Sequence, residues 1–287
     1  MHFTNYNEKY YEAVCGFLIE LNRPDKNHIN WNWARFEWMA EHPEFDKSAV
    51  GSIGLWLDGE RVVGAAIYDM YFGEGFCGVL PGYEALYPEV LDYAYKALRD
   101  EGGIGIAICD DDRAEIEAAE NAGFAVNDQT ETVMSLPLDR DFSSELSAEL
   151  HIEQLDPAEK PYDFQWILWR GFDHGTDKEE FEREDKIVPQ LRRHLNPQLS
   201  LAAVDAAGEA VGYCCLWFSE KTDYAYVEPV CTAPSYRGKG VAKALLHEAF
   251  GRVKRLGARK AYVISDAAFY KKLGFTVDKH FTFYRKA

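Results

Sequence analysis

The densest chemical signal in the sequence is Arg237-Gly238-Lys239-Gly240-Val241-Ala242. The run before it, 224–232, reads as a strand, and 241–256 carries apolar residues at helical spacing. A helix N-terminus leaves backbone N–H groups unpaired and carries partial positive charge. Gly238 and Gly240 let the backbone bend and approach a ligand closely. Arg237 and Lys239 add cations in a chain whose formal net charge is −17. The result is an anion site, and a diphosphate fits it. A glycine turn with solvated cations is the plainer alternative; the flanking strand and helix argue against it.

Other chemistry-bearing residues are less organised. The six cysteines, Cys15, Cys77, Cys109, Cys214, Cys215 and Cys231, form no C-x-x-C pair and read as reduced core residues, with no zinc site. His151, His174 and His247 lack the spacing of metal ligands. Asp110-Asp111-Asp112 at a strand end is either a solvated turn or a lure for a cationic acceptor. Segment 28–39, "HINWNWARFEWM", reads as an amphipathic core helix, or as a pocket wall of Trp31, Trp33, Phe36 and Trp38.

Those residues must be held by α/β elements. In the first half, 9–21 reads as a helix, and 54–68, "GLWLDGERVVGAAIY", as two strands around an Asp58-Gly59 turn. A helix at 87–100, a strand at 103–109, a helix at 113–121 and strand character from Gly123-Phe124 through 132–138 follow. The polar stretch 139–147 is the linker candidate. The second half repeats the order: a helix at 162–172, one or two at 178–194, a strand pair over 199–218, then 224–232 and 241–256 as above. A strand at 260–264, a short helix at 267–273 and a closing strand at 275–284 complete it. Pro81-Gly82-Tyr83 aligns with Pro234-Ser235-Tyr236, and Gly123-Phe124 with Gly274-Phe275. A duplicated α/β domain is expected, 1–138 and 148–287 joined by 139–147.

A length of 287 residues suits about two domains, and 47% hydrophobic with 28% charged residues is ordinary globular composition. No run of about 18 apolar residues offers a membrane span. The N-terminus lacks a basic region followed by an apolar one, so no secretory signal is expected and residence is expected to be cytoplasmic. The acidic balance disfavours nucleic acid and suits a cationic partner such as an amine. Composition does not fix an oligomeric state.

The stretch "EPVCTAPSYRGKGVAKALL" resembles the acetyl-CoA-binding motif of the GNAT superfamily of N-acetyltransferases. Its Arg/Gln-x-x-Gly-x-Gly/Ala pattern is met by Arg237, Gly240 and Ala242. The family's second motif resembles Phe269-Tyr270-Lys271-Lys272-Leu273-Gly274-Phe275, in family order. The resemblance covers 199–287 well and extends to 148–287. It implies two tandem GNAT-like domains, each a mixed, mostly antiparallel splayed sheet flanked by helices. It implies acetyl-CoA as acyl donor, and no metal. Val230, Cys231 and Thr232 would pair with the pantetheine arm; the amides of Gly238, Lys239, Gly240, Val241 and Ala242 would hold the diphosphate, with Lys243 adding charge. Glu228 would be the base, acting directly or through water, and Tyr270 the acid for the leaving thiolate. Cys231 is not expected as a nucleophile, because the family transfers directly from CoA. Ser265-Asp266-Ala267-Ala268 is shorter than the usual segment ahead of the tyrosine; Ser265 is retained as a cofactor contact.

The first half resembles a degenerate copy. Glu84-Ala85-Leu86-Tyr87 replaces Arg237-Gly238-Lys239-Gly240, and Ala119 replaces Tyr270, so no CoA site is expected there. The function implied is acetyl transfer from acetyl-CoA to the primary amine of a small, cationic molecule. The alternatives are a non-catalytic acyl-CoA sensor and a lysine or N-terminal protein acetyltransferase. The acceptor pocket would come from 166–185, which carries no readable code.

Overall fold

Runs rich in Val, Ala and aromatic residues become strands, and the amphipathic stretches between them become helices. The computed structural model describes residues 1–23, 30–42, 44–143, 145–184 and 193–287. In chain order the elements are β1 (His2–Asn5), α1 (Tyr11–Leu21), α2 (Trp33–Ala40), β2 (Gly54–Asp58), β3 (Arg61–Asp69), β4 (Tyr71–Val79), α3 (Tyr87–Ala97), β5 (Ile104–Cys109), α4 (Arg113–Asn121) and β6 (Ala125–Pro137). The second half gives β7 (His151–Gln154), α5 (Pro161–Gly171), α6 (Lys178–Arg183), β8 (Ser200–Val204), β9 (Ala210–Phe218), β10 (Tyr224–Thr232), α7 (Val241–Leu256), β11 (Lys260–Ile264), α8 (Ala268–Leu273) and β12 (Thr276–Lys286). Contacts divide the chain into unit 1 (Met1–Met134, Ile264–Ala268, Val277–Ala287) and unit 2 (Ser135–Val263, Phe269–Thr276).

In unit 2 the strand order is β7-β8-β9-β10-β11. The first three pairings are antiparallel, while β10 and β11 are parallel. That parallel pair is registered only at Tyr224↔Lys260, Ala225↔Ala261 and Tyr226↔Tyr262, after which the strands part. On its other side β10 stays with β9, with a register shift between Val227 and Val230. Pro229 lies in that interval; lacking an N–H, it cannot continue a ladder. Helix α7 covers the sheet with Val241, Ala244, Leu245, Leu246, Ala249, Phe250 and Val253, the stripe that its spacing predicts.

Unit 1 has the order β1-β2-β3-β4-β5-β12-β6. Its β4 and β5 are likewise parallel for a short stretch, Glu74↔Gly105 and Gly75↔Ile106. Both units are therefore mixed, mostly antiparallel, splayed sheets with flanking helices, as the resemblance implies. Trp31, Trp33 and Phe36 are buried at 2%, 2% and 1% exposure and supply core, while Trp38 is half-buried. Asp112 caps α4, Asp111 pairs with Lys279, and Asp110 accepts from Thr282, so these three acids act as a partnered turn.

The last strand departs from expectation. The stretch 275–284 was expected to close the sheet of the second half; β12 instead pairs antiparallel with β5 in unit 1, Phe281 opposite Cys109 and Phe283 opposite Ala107. Phe281 and Phe283, at 2% and 4% exposure, are core residues there. Reciprocally, residues 135–137 of β6 belong to unit 2, where Leu138 N–H donates to Arg259 O at 2.8 Å. The division falls at 134/135, ahead of the expected linker 139–147. The expected helical stretch to His194 and the start of 28–39 fall partly on 185–192 and 24–29, outside the described residues.

Phe281→Ala should lower the stability of unit 1 by about 3–5 kcal/mol. Hydrogen exchange should show lost protection in β5 with β9 preserved; loss confined to β9 would contradict the strand assignment.

Candidate active site

The parting of β10 from β11 opens the edge of β10 that faces β11 beyond Tyr226. Beside that edge lies a cleft of about 470 Å³, lined by Val230, Cys231, Thr232, the 236–238 turn, the first residues of α7, Gly171, and Phe269 and Tyr270 of α8. All of these belong to unit 2.

The α7 end of the cleft is a set of donors. Gly238 and Gly240 have φ of 73° and 81°, a backbone that side chains rarely adopt. Gly240 is the N-cap and supplies no side-chain cap. The amides of 238–243 accordingly have no acceptor among the described residues. A Cβ at either glycine would have no atom within 4 Å, so the space in front of these amides is open. Exposed Lys243 lines the cleft without an ion-pair partner among the described residues. Open space, unpaired amides and a cation fit an acyl-CoA diphosphate, and the opened β10 edge fits an amide-bearing pantetheine arm.

Arg237 lines the cleft and also bridges two elements. Its Nε donates to Thr232 O at 3.1 Å and its Nη2 to Gly171 O at 2.9 Å, and it pairs with Asp173 at 2.9 Å. It thus ties the end of α5 to the end of β10. Gly171 makes that approach possible: a Cβ there would sit 2.5 Å from Cys231 Cβ and 2.6 Å from its Sγ. Lys239 lies 5.0 Å over the Tyr236 ring, and Tyr236 OH donates to Asp205.

Glu228 sits at the β10 irregularity, its carbonyl accepting from Trp217 Nε1 at 2.8 Å. Burial raises the Tyr270 hydroxyl well above the usual tyrosine range, and the Glu228 charge raises it further. The phenol therefore keeps its proton throughout the physiological range. Burial pushes the Cys231 thiol up to about 12, so it is neutral at working pH.

Of the expected contacts, Val230, Cys231, Thr232, Arg237, Gly238, Gly240, Val241, Ala242, Lys243 and Tyr270 line the cleft. Lys239, Glu228 and Ser265 are not among its lining residues. Ser265 lies in unit 1, its N–H donating to Thr132 O at 2.8 Å and its hydroxyl accepting from Ala267 N–H. Sequence reading missed Gly171, Tyr236 and Phe269. Tyr236 and Phe269 adjoin the motifs and were within reach; Gly171 carries no signal.

The matching turn of unit 1 has opposite chemistry. Glu84 Oε1 accepts the Gly82 N–H at 2.8 Å, a bond that leads in holding its carboxyl below the usual range. A cleft of about 480 Å³ beside it is lined by Glu84, Asp92 and Glu117 as well as Lys286, whose ammonium is bonded to Ala122 O. Carboxylates at the mouth repel a diphosphate.

The splayed strand, glycine turn and helix N-terminus together form an anion-binding cradle beside an open strand edge. Residues 161–275 match the model of the Acetyltransferase (GNAT) family. The chain is 29% identical over 107 residues to the uncharacterised N-acetyltransferase YhbS of Escherichia coli (strain K12). That match covers 35% of this chain and 63% of that protein, so the chain spans less than two thirds of its relative's length. Among solved structures, a tandem GNAT protein from the clavulanic acid biosynthesis pathway has a TM-score of 0.61 at 16% identity, covering 99% of this chain and 98% of that one. A GCN5-related N-acetyltransferase from Sphaerobacter thermophilus has a TM-score of 0.58 at 17% identity, covering 99% and 95%. At these identities the likeness establishes the fold, here over both units. Among the described residues no group of three or more His, Cys, Asp or Glu is placed to hold a metal ion. None of their helices is long and apolar enough to cross a membrane.

Cys231 should resist iodoacetamide at pH 8, where a thiol of pKa about 12 is thiolate in roughly one molecule in 10⁴. Mass spectrometry that finds rapid Cys231 alkylation in the folded protein would contradict its burial.

Proposed function

We propose that the chain transfers an acetyl group from acetyl-CoA directly to the primary amine of a small, cationic molecule. The observation that carries this reading is the pairing, in one unit-2 cleft, of unpaired amides at α7 with a proton-bearing Tyr270 at the other wall. A CoA-binding sensor needs the first and not the second.

In this reading the amides of 238–242 and Lys243 bind the diphosphate, and the β10 edge at 230–232 aligns the pantetheine. A backbone N–H of the same edge donates to the carbonyl oxygen as negative charge develops on it. The acceptor arrives mostly as an ammonium ion near pH 7, and Glu228, directly or through a water, accepts its proton. The freed amine attacks the thioester carbon and forms the N–C bond; as the C–S bond breaks, the Tyr270 hydroxyl delivers its proton to the departing sulfur, and the second proton leaves the acylated nitrogen to restore the Tyr270 hydroxyl through solvent. A net charge of −17 raises the local concentration of cationic amines.

A panel of polyamines, aminoglycosides, amino-acid amides and a lysine peptide, assayed with acetyl-CoA, tests the reading. Acetylation of small polycations in preference to the peptide is expected; peptide preference moves the assignment to a protein acetyltransferase, and no turnover with intact binding moves it to a sensor. Tyr270→Phe should lower kcat by about 10²-fold while acetyl-CoA affinity holds. Because the Tyr270 pKa is raised, the acid form persists at high pH, and kcat should not fall on the alkaline side up to pH 10. Unchanged kcat in Tyr270→Phe would remove the acid role.

A further inference from the structure

Helix α8 has six residues, Ala268–Leu273, far below the ~12–15 that a helix needs to hold itself in water. Tyr270 lies within it, so the direction of its hydroxyl depends on whatever fixes the helix from outside. The carbonyls of the last turn lack intrahelical partners and carry partial negative charge. One of them, Leu273 O, accepts from Arg140 Nη2 at 2.8 Å. Arg140 comes from the polar stretch that the sequence marks as a linker.

That stretch is docked on α7. Arg140 O accepts from Lys254 Nζ at 2.8 Å, and Ser143 O lies 2.8 Å from His247 Nδ1. Phe142 packs on Phe250, with ring centroids 5.2 Å apart, and the Arg140 guanidinium lies 5.4 Å from the Phe142 ring. From Phe250 the aromatic contacts continue to Phe275 at 6.0 Å and from Phe275 to Tyr270 at 5.5 Å. Phe275 N–H also donates to Tyr270 O at 3.1 Å. Two routes, one polar through Leu273 O and one aromatic through Phe142 and Phe275, therefore run from residues 140–143 to the catalytic candidate. All of these residues lie in unit 2.

We propose that Arg140 is a positioning residue for Tyr270, holding α8 so that the phenol faces the cleft. Arg140 touches neither substrate nor donor; it acts through Leu273 O. The catalytic part of the proposal rests on Tyr270 being the acid.

The test is a double-mutant cycle in the full chain, with spermidine as the acceptor probe and acetyl-CoA as donor. Arg140→Ala should lower kcat by about tenfold, with KM for acetyl-CoA held within about twofold. The loss should vanish in the Tyr270→Phe background, and Arg140→Lys should recover most of it. Equal losses in both backgrounds would overturn the proposal, because Arg140 would then act on the fold and not through Tyr270. A second readout needs no turnover: protein carrying Cζ-labelled tyrosine is observed by NMR, with Tyr270 assigned by its loss in Tyr270→Phe. Arg140→Ala should move that resonance and lower its titration midpoint toward an ordinary tyrosine, and Arg140→Lys should restore it; an unmoved resonance overturns the proposal. If Tyr270→Phe alone leaves kcat unchanged, or spermidine is not acetylated, the acid or acceptor reading has failed, and the NMR result by itself decides whether Arg140 positions Tyr270.

Discussion

Everything in unit 2 follows from the separation of β10 from β11 after Tyr226. Two parallel strands that stayed paired would leave no unpaired main-chain edge for a ligand. Pro229 helps enforce the irregularity, since it has no N–H to give to a ladder. The magnitudes say which interaction holds the site and which uses it. A charge at a helix N-terminus gains roughly 0.3–2 kcal/mol, whereas each large apolar side chain buried by α7 contributes about 1.5–3 kcal/mol. The apolar stripe from Val241 to Val253 therefore anchors the helix, and the glycine turn is left with donors that the fold itself does not need. Arg237 also takes part in the anchoring: while lining the cleft, its guanidinium joins α5 to β10.

The two units show how one fold carries different chemistry. Each has a short parallel pairing that opens, and each has a helix beginning at the opening. In unit 2 that helix starts at glycines whose amides are unpaired; in unit 1 the Glu84 carboxylate already accepts an amide of the turn, and buried Leu86 and Tyr87 follow. Backbone geometry persists while the electrostatics at the turn change sign. The electrostatics, not the strand order, decide what such a cleft accepts.

Much of this was legible from residue patterns. The limits of β10, α7, β11 and α4 coincide with their apolar periodicity, and the anion turn was evident from two glycines between a strand and a helix. Other features were not. Strand β4 escaped because Gly73, Gly75 and Gly78 interrupt its alternation. The pattern of β12 was clear, but alternation says that Phe281 and Phe283 are buried, not which sheet buries them. Gly171 and Arg140 matter through close approach and a single hydrogen bond, and neither leaves a trace in spacing. The polar composition of 139–147 suggested a tether; Phe142, one of its two apolar residues, docks on Phe250. Acceptor identity stayed illegible because loop side chains follow no periodicity.

The central claim is a single acetyl-CoA site per chain, formed at the glycine turn of unit 2. Isothermal titration of acetyl-CoA into the full chain measures it directly. One site is expected, abolished by Gly240→Asp, which sets a carboxylate in the open space before the α7 amides, and untouched by Glu84→Gln. Two sites, or one that survives Gly240→Asp, would contradict it.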